Sequence, residues 1–103
     1  MKYKNDVYIK VNNHDEEKLK SLLIKNNFEA IREFKDKDCV VYTIYNTRWN
    51  DNSKEVKSII SFINEDCEYT RGMVAIREDS TADIYGEHFD PSRYVAMCDC
   101  YGG

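Results

Sequence analysis

The chain has 103 residues, 42% hydrophobic and 33% charged, with a formal net charge of −4 and a pI near 5.1. That length suits one domain with a modest core, and the balance is globular rather than disordered. The acidic charge excludes nonspecific attraction to nucleic acid or an anionic membrane and leaves a basic protein partner open.

No apolar run follows the first six residues and no stretch approaches the length of a membrane span. A cytoplasmic location is therefore expected, with the four cysteines, Cys39, Cys67, Cys98 and Cys100, as reduced thiols.

Residues 7–11 alternate, with Val7, Ile9 and Val11 on one side, which predicts a first strand packed on one face. Asn13 with Glu16 three residues later has the spacing of a capping box, and Asp15, Glu16 and Glu17 place negative charge in the first helical turn. Leu19, Leu22 and Leu23 form the apolar stripe of that helix, which Asn26 and Asn27 can end because Asn tolerates the left-handed conformation. Residues 28–34 read as a second strand, near an edge given its charges, and residues 39–45 as a third, central strand rich in β-branched and aromatic residues.

Residues 46–52 read as a loop carrying Arg48 and Trp49, the only tryptophan. A second helix is expected to start at Asp51 or Asn52, with Val56, Ile59, Ile60, Ile63 and Cys67 as its stripe. Residues 69–76 predict a fourth strand, in which Gly72 marks a bulge or a close approach. After a turn at 77–81, residues 82–87 predict a short returning strand, and residues 94–98 a last one beyond the Asp90-Pro91-Ser92 turn.

The segment Leu19-Lys20-Ser21-Leu22-Leu23 recurs 37 residues later as Val56-Lys57-Ser58-Ile59-Ile60. Two related strand–helix–strand halves predict an α+β, ferredoxin-like βαββαβ sandwich, with both helices on one face of an antiparallel sheet. Residues 1–76 would form that core and residues 77–103 a C-terminal hairpin or strand extension, all within one domain. The competing arrangement is another α+β sandwich whose C-terminal strands form a small sheet of their own.

The first candidate site is the sheet face away from the helices. Tyr8 and Lys10 belong to it, joined either by Tyr42 and Ile44 or by Val41, Thr43 and Tyr45, since alternation gives two faces without saying which is covered. Residues 7–12 resemble the strand-one aromatic motif of RNA-recognition domains, and that resemblance implies bases stacked on Tyr8. The strand-three motif of those domains needs a basic residue and a glycine, which residues 38–45 lack. With an acidic chain, direct nucleic acid binding is not the preferred reading.

Cys98 and Cys100, with His88 nearby, offer part of a metal site, but zinc sites come as paired C-x-x-C units and no metal or other cofactor is expected. Cys39 and Cys67 read more simply as small buried hydrophobes. Asp83, Tyr85, Glu87, His88 and Asp90 crowd the C-terminal hairpin, yet no nucleophile motif or phosphate-binding loop accompanies them, so no enzyme is expected. The terminal Gly102-Gly103 resembles the tail of ubiquitin-like modifiers and sulfur carriers, whose fold opens with a hairpin rather than with strand, helix, strand. Arg48 and Trp49 are residue types that dominate interface hot spots, set against a Trp49 folded back over the core.

The reading this composes is a non-catalytic protein that binds and modulates or inhibits another protein. Its contact residues would be Tyr8, Tyr42, Arg48, Trp49, Glu78, Asp79, Asp83, Tyr85 and Glu87. In size and composition the chain looks like the small single-domain proteins of phages and mobile elements. That resemblance implies an anti-CRISPR-like inhibitor of a nucleic-acid-processing enzyme, presenting carboxylates where the enzyme expects phosphates. An unpaired sheet edge would also favour a homodimer.

Overall fold

The computed structural model describes residues 4–28, 32–35 and 37–91. Strand β1 (Lys4–Asn12) leads through a 3₁₀ turn (Asn13–Asp15) into helix α1 (Glu16–Lys25). Strands β2 (Arg32–Lys35) and β3 (Cys39–Arg48) follow, then helix α2 (Lys54–Ser61), which runs on into a π-helical turn (Phe62–Asp66). Strands β4 (Arg71–Ile76) and β5 (Ala82–Gly86) complete the described elements. The architecture is α+β, with two helices packed on an antiparallel sheet whose described strands run in the order β2-β3-β1-β4-β5. The returning strand is thus part of the main sheet, beside β4.

Alternation along β1 divides the core in two. Val7, Ile9 and Val11, all fully buried, point to the helix layer with Val40, Tyr42 and Ile44 of β3 and Met73 and Ala75 of β4. Leu19 and Leu23 of α1, with Val56, Ile59 and Ile63 of the α2 segment, close over them. Tyr8 points the other way, into a smaller cluster with Val41, Val74 and Phe89. Each fully buried aliphatic side chain is worth about 1.5–3 kcal/mol relative to exposure. That burial, rather than intrinsic propensity, holds an α2 of only 8 residues.

Both helix starts differ from those the sequence suggests. Asn13 and Glu16 form no such pair: the side chain of Asn12 accepts from the His14 amide at 2.9 Å and caps the 3₁₀ turn instead. Asp15, at the head of α1, makes no side-chain cap bond and is buried. For α2 the cap is Ser53, whose hydroxyl accepts from the Val56 amide at 3.2 Å. Asp51 and Asn52 belong to the turn before it, where the Asn50 side chain accepts from the Asn52 amide at 2.9 Å. The α1 terminus matches the sequence pattern, with the Asn26 amide donating to Leu22 O at 3.1 Å and Asn27 at φ 63°.

Two boundaries also move. β3 runs through Asn46, Thr47 and Arg48, because Asn5 pairs with Thr47 and Lys4 with Arg48 beyond an irregularity in β1. The π turn, in which the Cys67 amide donates to Phe62 O at 3.1 Å, turns both Phe62 and Ile63 inward. The Ile63 carbonyl this leaves outside the helical ladder accepts from Arg71 Nε at 3.1 Å.

Candidate functional site

The aromatic residues expected at the surface are mostly inside. Tyr8 and Tyr42 lie on opposite faces, so it is Val41, Thr43 and Tyr45 that share the side of Tyr8. Tyr8 is 4% exposed, packed on Val41, Val74 and Phe89 with its ring edge-on to Tyr45 at 6.3 Å, and presents no free ring for a base to stack on. Tyr42 sits beneath α1, and its hydroxyl donates to Glu16 Oε2 at 2.6 Å. Trp49 is buried over the end of the main core, tilted against Phe28 at 5.4 Å, while its neighbour Arg48 is exposed. As exposed contact residues, Tyr8, Tyr42 and Trp49 are therefore corrected to core positions; alternation and residue type alone do not reveal which face is covered.

The β4–β5 hairpin gathers the carboxylates. Its turn closes with the Arg77 amide on Thr81 O at 2.8 Å and with Ser80 at φ 71°, and the Asp79 side chain accepts from both the amide and the hydroxyl of Thr81. Those bonds hold the Asp79 carboxyl below its ordinary range. Glu78, Asp79 and Glu87 are exposed, whereas Asp83 is half-buried in an ion pair with Arg77. Tyr85 packs against the main core, and its hydroxyl is pushed up by burial first and by Asp51 and Asp83 next.

Ile84, on the face away from the helices, is 47% exposed, and among the described residues no strand pairs with the outer edge of β5. Gly72 holds the base of the hairpin. A Cβ there would collide with the Glu87 carbonyl and meet the Phe89 ring at 3.0 Å, so the close approach suggested by the sequence is realised.

The remaining candidates separate in space. His88 is exposed, Cys39 is half-buried and Cys67 is buried. The Cys67 thiol is pushed up to about 11, by burial first and by the Asp15 carboxylate next. Among the described residues no three His, Cys, Asp or Glu side chains gather as metal ligands. Cys98, Cys100, Gly102, Gly103 and the strand expected at 94–98 lie outside the described residues. No helix among them is long and apolar enough to cross a membrane.

One surface escapes sequence reasoning altogether. Between α1 and α2 runs an open groove of about 1190 Å³, floored by Leu22 and Phe62, with Ser21 and Ser58 on its walls. Lys18, Lys25, Lys54 and Lys57 rise along its sides. The signal was present as helical spacing, 18-22-25 on one helix and 54-57-58-61 on the other, but it acquires meaning only once the helices are known to be neighbours. Comparison of the chain with protein-family models, curated proteins and solved structures returns no match.

Proposed function

We propose that this is a cytoplasmic protein-binding module that presents its acidic β4–β5 hairpin to a basic surface of another protein and modulates or inhibits that partner. The observation that carries the reading is Ile84, a large apolar side chain 47% exposed on the hairpin. Around it stand the exposed carboxylates of Glu78, Asp79 and Glu87. The exposed isoleucine supplies apolar area, and the carboxylates steer and register a cationic partner. A nucleic-acid-processing enzyme, whose phosphate-binding surface is basic, is the partner class this chemistry fits best.

The scaffold in this reading is the ferredoxin-like βαββαβ plan with β5 added outside β4. Its support is the antiparallel order β2-β3-β1-β4, with α1 linking β1 to β2 and α2 linking β3 to β4.

A photo-crosslinking residue at position 84, used in host lysate, tests the binding surface. The expected result is a protein adduct that disappears in Glu78→Lys/Asp79→Lys and with rising salt. An adduct pattern indifferent to both would remove the hairpin as the binding surface.

A further inference from the structure

The groove between the helices is built from the repeated segment itself. A shift of 37 residues carries Glu17, Ser21 and Lys25 of α1 onto Lys54, Ser58 and Phe62 of the second helical segment, and all six line the groove. Because β1 and β3 are antiparallel and each helix follows its strand, α1 and α2 run in opposite directions. Lys25, at the end of α1, therefore stands beside Lys54, at the start of α2, with Lys57 one turn further on. The opposite end pairs Glu17 and Lys18 with Phe62 and Asp66. The centre is small and uncharged, one end is basic and the other is mixed.

None of Lys18, Lys25, Lys54 and Lys57 has an ion-pair partner among the described residues, whereas Lys20, Lys35 and Arg77 do. In a chain of net charge −4, four uncommitted lysines around one apolar floor form a local positive surface against the overall sign. We infer that this groove is a second docking site, which takes an acidic amphipathic helix from a partner protein.

Apolar side chains of that helix would cover half-buried Leu22, beneath which Phe62 is already packed, and carboxylates on its flanks would meet the lysines, in the manner of helix-in-groove recognition. Charge complementarity fixes the sign of the occupant, and the floor fixes its amphipathic character. A nucleic acid fits less well. Glu17 and Asp66 share the groove and repel a polyanion, and its only aromatic ring, Phe62, is 4% exposed and unavailable for stacking. The site is independent of the hairpin and opposite to it in charge.

The test uses a labelled synthetic helical peptide with leucines at three- and four-residue spacing and glutamates flanking them, a scrambled peptide of equal composition, and a labelled single-stranded oligonucleotide. Fluorescence anisotropy and backbone NMR shifts are read on the intact chain. The amphipathic peptide should bind at least about tenfold more tightly than the scrambled one, with shifts centred on Ser21, Leu22, Ser58 and Ser61.

Lys25→Glu/Lys57→Glu replaces exposed side chains and should leave thermal unfolding within a few degrees. It should weaken the peptide by about tenfold, and a peptide with lysines in place of glutamates should recover that loss. Equal binding of the scrambled peptide, shifts elsewhere on the surface, tighter binding of the oligonucleotide, or no recovery by the charge-swapped peptide would each overturn the assignment.

Discussion

The hydroxyl of Tyr42, in the middle of the sheet, donates to Oε2 of Glu16 on the first turn of α1 at 2.6 Å, and Lys35 and Lys20 stand at 3.9 and 4.0 Å from the same oxygen. The bond ties the helix to β3 and bears on the titration of both partners. Glu16 is held below the ordinary carboxyl range by the Tyr42 hydrogen bond first, with Glu33, Lys35 and Lys20 adding to it against desolvation. Burial, then Glu16, raises the Tyr42 hydroxyl.

Tyr42→Phe should therefore cost about 1.5 kcal/mol at neutral pH, the value of a hydrogen bond to a charged acceptor. A depressed carboxyl contributes its stability in full above the unfolded value, near 4.5, and loses it as pH falls through the lower folded value. The gap between wild type and Tyr42→Phe should accordingly narrow at pH 3, about a unit or more below the usual carboxyl range. Urea unfolding at the two pH values measures it, and a gap that stays constant would contradict the ionised pairing.

Gly72→Ala tests the base of the hairpin. The added methyl meets the Glu87 carbonyl and the Phe89 ring together, and neither can yield without opening the hairpin or uncovering Tyr8. A loss of about 3 kcal/mol is expected, at the upper end of the usual cost of overpacking. Thermal unfolding reads it, and a shift of only a degree or two would mean the segment after β5 is not held against β4.

Ser53→Ala and Asn52→Ala separate the observed cap of α2 from the one its sequence suggests. Loss of the Ser53 hydroxyl leaves the Val56 amide without its cap and should cost about 1 kcal/mol. Asn52→Ala removes an exposed side chain and should stay within about 0.5 kcal/mol. Chemical denaturation of both variants decides, and the reverse order would place the helix start one residue earlier.

Cys67 should be inert in the folded protein. Its thiol is 7% exposed and pushed up to about 11, so little thiolate exists at neutral pH. Iodoacetamide labelling followed by peptide mapping should mark Cys39, the more exposed of the two, well before Cys67. Urea should abolish the difference. Equal native rates would show that the turn at the end of α2 opens readily.

Trp49 provides an optical test of the core boundary. Its ring is 6% exposed, and its Nε1 is buried without a hydrogen-bond partner among the described residues. Emission should be blue-shifted and weakly quenched by iodide in the folded state. A red, fully quenchable spectrum would return Trp49 to the surface.

The stripes of both helices were readable because an apolar period near 3.6 needs no knowledge of neighbours, and Leu19, Leu23, Val56, Ile59 and Ile63 all reached the core. Along β3 the same kind of reasoning stopped halfway. A period of two showed that Tyr42 and Val41 part company, but only the packing of α1 on Tyr42 decided which went inside. Asn46 is of a type depleted in strands and made residues 46–52 read as loop, and pairing of Thr47 and Arg48 with the start of β1 overrode that preference. The π turn left no trace in the pattern, since nothing in the residue types of 62–66 marks the extra residue it holds. Of the candidate surfaces, the hairpin carboxylates were legible as a charge cluster. The lysines of the groove were not, because they come from segments 37 residues apart whose adjacency is a property of the sheet.

The serines at the centre of the groove have a directional consequence. Ser21 and Ser58 are repeat-mates on antiparallel helices, so a rod lying between them meets nearly the same wall whichever way it points. Shape alone would admit both orientations. The difference between Glu17 and Lys54, and between Lys25 and Phe62, breaks that degeneracy by concentrating cations at one end. The heading of anything lodged there is therefore written in charge.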